Sequence, residues 1–319
     1  MGGNRTVAAS GPLHRPAAMI LGVAIALSVA ASVNAQPRRE FTLESEIDTY
    51  PLWRSRPSWN AGLLVWCEHN QTDGPIVYTV DKDGRRDEFL LAFPNTKRIG
   101  VNDLAVGPNG EIVIAAGAAT PDGRGMAFFA RLPADRGDWK VTQTWPYNPW
   151  RVTMTSRGDV WTVGWLLDDE NVHMVAQCVL RRYDPSGNLL TSQRLAARRG
   201  PEPYTVHLDD SLFSSPDRVG WFIAGGDYTE FSLDGDEIGR YKGPPGLRSP
   251  DGVAISADND VILSAGRGRF LILDRSSGEW TRAFLPDGQA PSWARVLGFD
   301  GTTLVTTTGT GKLTRYTTK

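Results

Sequence analysis

The chain has 319 residues, with 34 Lys and Arg against 36 Asp and Glu for a net charge of −2, and 40% of its residues are apolar. Disorder is excluded, because a chain that cannot fold shows low apolar content or a large net charge. With 22% charged residues and no block of one sign, the sequence also lacks the basic stripe that a nucleic-acid partner requires. Its 34 Gly, 21 Pro and 11 Trp, together with frequent β-branched residues, point to many short strands and tight turns rather than long helices.

In chain order, residues 1–35 read as an export signal. Arg5, His14 and Arg15 form a basic n-region, Ala17 to Ala31 is an apolar run, and Val33-Asn34-Ala35 is a small-residue cleavage signal before Gln36. The run is shorter than the roughly 20 residues that span a bilayer, and no Cys follows it to carry a lipid. The expected product is a periplasmic or secreted chain of residues 36–319, not held to the membrane after cleavage. Next comes Arg38 to Ile47, a strand-like stretch with no partner of its own.

The remainder is a repeat. An apolar strand, a polar turn and a second apolar strand ending in small residues recur as LAVGPNGEIVIAAG (104–117), VTMTSRGDVWTVGW (152–165), VAISADNDVILSAG (253–266) and VLGFDGTTLVTTTG (296–309). A longer copy occupies 211–226 and a looser one 51–67. Each copy is followed by another strand pair around a turn, as in YTEFSLDGDEIGRYK, and the last pair is cut short at KLTRYTTK. Four antiparallel strands in each unit of roughly forty to sixty residues make a propeller blade. Six units fill residues 36–319, so the expected fold is all-β, a single six-bladed β-propeller of four-stranded blades. The last blade lacks an outer strand, and pairing it with 38–47 closes the ring and removes two exposed sheet edges.

Topology then locates a face for function. With strands a to d running outwards, the a–b and c–d turns share one face and are short, as in PNG, SRGD and LDGD. The b–c and d–a connections share the other face and include the long segments AATPDGRG, LLDDENVH, PNTKRIGVND and AARRGPEPYTVHLDD. Binding residues concentrate on long connections held by a rigid scaffold. The expected ligand of this face is a small molecule, a glycan or a protein, bound by a monomer. Residues ahead of each first strand line the channel mouth: Thr49 and Tyr50, Asn102 and Asp103, Trp150 and Arg151, Asp209 and Asp210, Asp251, Trp293 and Arg295. Carboxylates with an amide oxygen suit Ca²⁺ or another divalent cation, whereas Arg151 and Arg295 suit an anionic ligand. The same groups could instead pair with one another and cap turns.

Aromatic residues divide by position. Trp66, Trp161 and Trp221 fall on second strands and are expected to pack between blades, while Trp145, Trp150 and Trp293 precede first strands and could act as stacking platforms. His69, His173 and His207 show no metal-ligand spacing, and no Gly-x-Ser-x-Gly elbow or phosphate loop occurs.

Several of these segments carry a resemblance. Pro108-Asn109-Gly110 between apolar strands resembles the turn of NHL-type repeats. Tyr50-Pro51-Leu52-Trp53-Arg54, Asn102-Asp103 and Ser249-Pro250-Asp251-Gly252 look like segments of the regucalcin and gluconolactonase family of six-bladed propellers. The resemblance implies a divalent metal at the channel mouth that polarises a lactone, with Asp251 as metal ligand and catalytic residue and Asn102 as a further ligand or substrate contact. Thr49 stands where that family has a metal-binding Glu, and Asp209-Asp210 stand where it has Asn-Gly. Loss of the Glu makes a non-catalytic binding propeller the first reading and a metal-dependent lactonase or esterase the alternative.

Export would permit a disulfide between Cys67 and Cys178. Both sit in apolar strand-like runs on non-adjacent blades, too far apart for a bridge, and two buried thiols are expected. Thiol labelling of the denatured, unreduced protein should therefore modify both residues. Protection of both would mean that the blade assignment is wrong.

Overall fold

The computed structural model describes residues 41–48, 57–70, 74–167, 174–194, 211–223, 226–247, 250, 252–266, 269–283, 294–308 and 312–318. Residues 1–35, and with them the expected export signal, lie outside this set. Among the described residues every regular element is a strand, and the strands form six four-stranded antiparallel sheets. Blade one holds β2 to β5 (Ser58–Asn60, Leu63–Asn70, Gly74–Val80, Arg86–Leu90), and blade two holds β6 to β9 (Arg98–Val106, Ile112–Ala119, Gly125–Leu132, Lys140–Gln143). Blade three is β10 to β13 (Tyr147–Met154, Val160–Leu167, Met174–Tyr183, Leu189–Arg194), and blade four is β14 to β17 (Ser211–Ser214, Arg218–Phe222, Asp227–Ser232, Glu237–Lys242). Blade five is β18 to β21 (Val253–Ile255, Val261–Ser264, Phe270–Asp274, Glu279–Ala283). Blade six runs outwards through β22 (Arg295–Phe299), β23 (Thr303–Thr307) and β24 (Lys312–Thr318) to β1 (Phe41–Asp48).

The first strand of each blade packs against the first strand of the next, β2 on β6 and onwards round to β22 on β2, so the six sheets form a ring. The apolar core is correspondingly not one cluster but six, one at each seam between blades. Strands with period-two alternation, such as β4, bury one face fully in one seam, with Val77 between blades one and two, and the other face only partly, with Tyr78 and Val80 against the seam of blades one and six. Middle strands such as β7 and β8 lie between two seams and are buried on both faces, which is why they read as continuous apolar runs. Trp66 joins the seam of blades one and six, and Trp161 and Trp221 the seam of blades three and four, as their place on second strands implied.

Polar contacts tie the same seams at the end of the ring where the short turns lie. Glu230 on β16, only 1% exposed, accepts from Arg218 (2.9 Å), from Tyr228 Oη (2.7 Å) and, across the seam, from Arg275 of blade five. Burial beside this carboxylate pushes the Tyr228 hydroxyl well above its ordinary range. Arg157 reaches Asp234 across the next seam at 2.6 Å, and Arg131 donates to the Pro185 carbonyl across another.

The N-terminal strand closes the ring as the sequence implied. Register runs antiparallel from Phe41 opposite Thr318 to Asp48 opposite Lys312, with an irregularity between Leu43 and Ser45. Phe41 is 1% exposed and packs edge-on to Phe299 of β22, ring centroids 6.1 Å apart.

Two placements differ from the sequence reading. The first inner strand was expected to begin at Pro51 but is Ser58–Asn60. Ala61 and Gly62 both take positive φ (49° and 78°) in a two-residue hairpin turn that pairs Asn60 with Leu63, so the strand can only be the residues immediately before it. Thr49, Tyr50 and the segment to residue 56 lie outside the described residues. In blades two and three the inner strands begin upstream of the repeat, at Arg98 and Tyr147, so Asn102, Asp103, Trp150 and Arg151 lie within strands rather than ahead of them. The longer d–a segments supply these extra ladder residues.

Cys67 is buried in the seam of blades one and two, and desolvation there pushes its thiol up to about 12. Cys178 pairs its backbone with Trp165 in blade three, and its side chain lies outside the described residues.

Ring closure has a measurable consequence. Deleting residues 36–47 should lower the melting temperature by several degrees or more, and Phe41→Ala alone should cost about 3–5 kcal/mol by leaving a cavity against Phe299. An unchanged melt for both proteins would show that the ring closes some other way.

Candidate functional site

Inner strands of all six blades line a narrow central channel with a volume of about 120 Å³. Its charged groups among the described residues are Asp103, Arg151 and Arg295, one each from blades two, three and six. Ser58, Thr153, Ser211 and Ser214 add hydroxyls.

Two β-bulges set the directions of these side chains. Opposite β7, the register of β6 slips between Val101 and Asp103, which makes Asn102 the extra residue. Opposite β11, β10 slips between Pro149 and Arg151, which makes Trp150 the extra residue at the equivalent place. A bulge re-aims the side chains that follow it. Asp103 and Arg151 therefore line the channel, whereas Asn102 opens onto a second cavity at the seam of blades two and three.

Each group is held in place. Asp103 Oδ2 accepts from the backbone N–H of Val152 at 3.0 Å, which ties blade two to blade three at the level of the bulges. Arg151 is only 1% exposed, with Nη1 donating to the Trp150 carbonyl at 2.8 Å and its guanidinium carbon 5.5 Å from the Trp150 ring centre. Trp150 is half-buried against Trp165, ring centroids 4.9 Å apart, and its buried Nε1 has no hydrogen-bond partner among the described residues. Asn102 Nδ2 donates to the Pro149 carbonyl at 2.9 Å and to Asn148 Oδ1 at 3.3 Å.

Of the remaining expected residues, Arg295 opens β22 and lines the channel. Gly252 of blade five has φ 123°, and a Cβ there would collide with the Val296 carbonyl, so only glycine fits where blade five meets blade six. Asp209, Asp210, Asp251 and Trp293 lie outside the described residues, as do His173, His207 and the His69 side chain.

Of the implied metal set only Asn102 is described, and it opens onto a different cavity from its neighbour Asp103, with its amide nitrogen donating to blade three. Among the described residues no group of three or more His, Cys, Asp or Glu converges.

A second, wide-open cavity of about 350 Å³ has Arg98, Asn102, Trp145 and Asn148 among its lining. Trp145, one of the expected platforms, remains 37% exposed there. Arg98 and Asn148 were not singled out from the sequence. The available signal was a pair of glycines, Gly100 and Gly117, inside otherwise apolar strands. The chain matches no protein-family model and no curated protein.

Proposed function

We propose that this chain is an exported propeller that binds a small molecule, a glycan or a protein segment on the loop-rich channel face, as a monomer and without catalysis. The observation that carries this reading is the size and lining of the channel mouth. At about 120 Å³ it is smaller than the roughly 300–1,000 Å³ of a pocket that encloses a ligand. Asp103, Arg151 and Arg295 thus meet only the polar tip of a ligand whose bulk rests on the surrounding rim. Their fixed geometry suits recognition, because hydrogen-bonded and buried side chains lose little freedom on binding. The export signal and the resemblance to NHL and gluconolactonase-type propellers support a periplasmic or secreted binding protein on this fold.

A metal-dependent lactonase is the second reading, favoured by Asp251 in its Pro-Asp-Gly turn. Such chemistry needs a cation that acts as Lewis acid on the carbonyl and a carboxylate that activates water. Divergence of Asn102 from Asp103 weighs against it.

Calorimetric titration of chelator-treated protein with Ca²⁺, Mn²⁺ and Zn²⁺, beside turnover of a lactone panel, separates the two. The binding reading expects neither tight 1:1 metal binding nor hydrolysis. Tight metal binding and turnover that fall about 100-fold in Asp251→Asn, but not in the opposite-face control Asp258→Asn, would replace it with the lactonase.

A further inference from the structure

We infer that the cavity at the seam of blades two and three is a carbohydrate subsite for a pyranose that carries a carboxylate, such as a uronic-acid unit of a glycan. The inference rests on the reading of this face as a binding face, but not on the channel mouth.

The floor of the cavity is a bare stretch of sheet. Gly100, Gly117 and Ala127 stand directly opposite one another on β6, β7 and β8, so all three share one face, and Ala119 extends it beside Arg98. The fold does not require the two glycines. Neither has left-handed backbone, and an added Cβ would meet nothing nearer than the Gly117 carbonyl oxygen at 4.0 Å from position 100, or the Met126 carbonyl oxygen at 3.5 Å from position 117. Both distances are ordinary van der Waals contacts. Glycine within a strand is less stable than alanine, and a strand glycine often stands where another group approaches closely. Here the space left open is the cavity itself.

The walls define what would approach. Trp145 offers an indole, which suits the flat C–H face of a pyranose ring. Asn102 and Asn148 bond to each other through one amide hydrogen and one carbonyl oxygen. Among the described residues, Asn102 Oδ1 and Asn148 Nδ2 have no other partner, so the pair presents one acceptor and one donor to vicinal hydroxyls. Arg98 is exposed at the edge of the cavity and has no ion-pair partner among the described residues. A guanidinium in that state suits a carboxylate, which it can hold through two parallel hydrogen bonds. The volume of about 350 Å³ lies within the range of ligand pockets. An aromatic wall, paired amides, a flat floor and one cation together specify a ring that is apolar on one face, hydroxylated at its edge and acidic at one end.

The test is calorimetric titration with trigalacturonate and with its neutral counterpart, a galactose trimer, using wild type, Trp145→Ala, Arg98→Gln and Gly100→Val. Wild type should bind trigalacturonate at 1:1 stoichiometry, at least about tenfold more tightly than the neutral trimer. Trp145→Ala should weaken both sugars about tenfold, and Arg98→Gln should abolish the preference for the acid. Gly100→Val is the decisive variant, because a Cβ at position 100 meets nothing nearer than 4.0 Å and the branched side chain beyond it would occupy the cavity. It should retain the wild-type melting temperature and lose binding. No binding of either sugar by wild type, equal binding of both, or binding that survives both Gly100→Val and Trp145→Ala would overturn the inference. Loss of binding in Asp251→Asn with these three variants unaffected would move the ligand to the channel mouth instead.

Discussion

Every blade of this ring buries its faces only against its two neighbours, so the pairing of Phe41–Asp48 with Lys312–Thr318 is the contact on which the rest depends. Without it the sixth blade ends in the open edge of β24, and the seam cluster that contains Phe41 and Tyr316 loses a wall. A sheet arranged radially has no central core to hold it if one seam parts. Closure by strands from the two ends of the propeller makes the seams mutually dependent, because none can open without straining those beside it. Within that ring the polar ties at the short-turn end, with Glu230 gripped by residues of blades four and five, fix the blades in angle as well as in contact.

A rigid ring also explains how small local irregularities set the directions of side chains at the channel. Bulges in β6 and β10 occur at equivalent places in adjacent blades, and each turns neighbouring side chains to opposite sides of the inner strand. From one dipeptide, Asp103 faces the channel and Asn102 faces the seam cavity. Two cavities thus share one wall on the face that carries the long connections. Rigidity matters because a carboxylate or guanidinium recognises a ligand only where its position is fixed beforehand.

Much of this architecture was legible in the sequence, and the exceptions have physical causes. The repeat, the four-strand unit, the closing strand and the packing role of Trp66, Trp161 and Trp221 follow from periodicity and edge satisfaction, which are local or pairwise properties. The start of the first inner strand was misplaced because its position is set by the two-residue turn at Ala61-Gly62, and the apolar residues before it offered a competing frame. Bulges at Asn102 and Trp150 were not legible, since a bulge belongs to the register between two strands and not to either sequence. For the same reason Arg98 and Asn148 stayed hidden, as they meet only when blade two is laid against blade three. Of the expected channel residues, Asp103, Arg151 and Arg295 do line the channel, and Asn102 sits one bulge away from it.

Amide hydrogen exchange resolved by residue tests the central claim of closure most directly, because it reads the outer ladder of blade six without altering the protein. If β1 is a permanent member of that blade, the ladder amides of β1 and β24 exchange slowly and together with those of β22 and β23, as one cooperative unit. Amides of β1 that exchange at the rate of an unfolded chain, while β22 to β24 stay protected, would show that the ring holds without its N-terminal strand and would contradict the account.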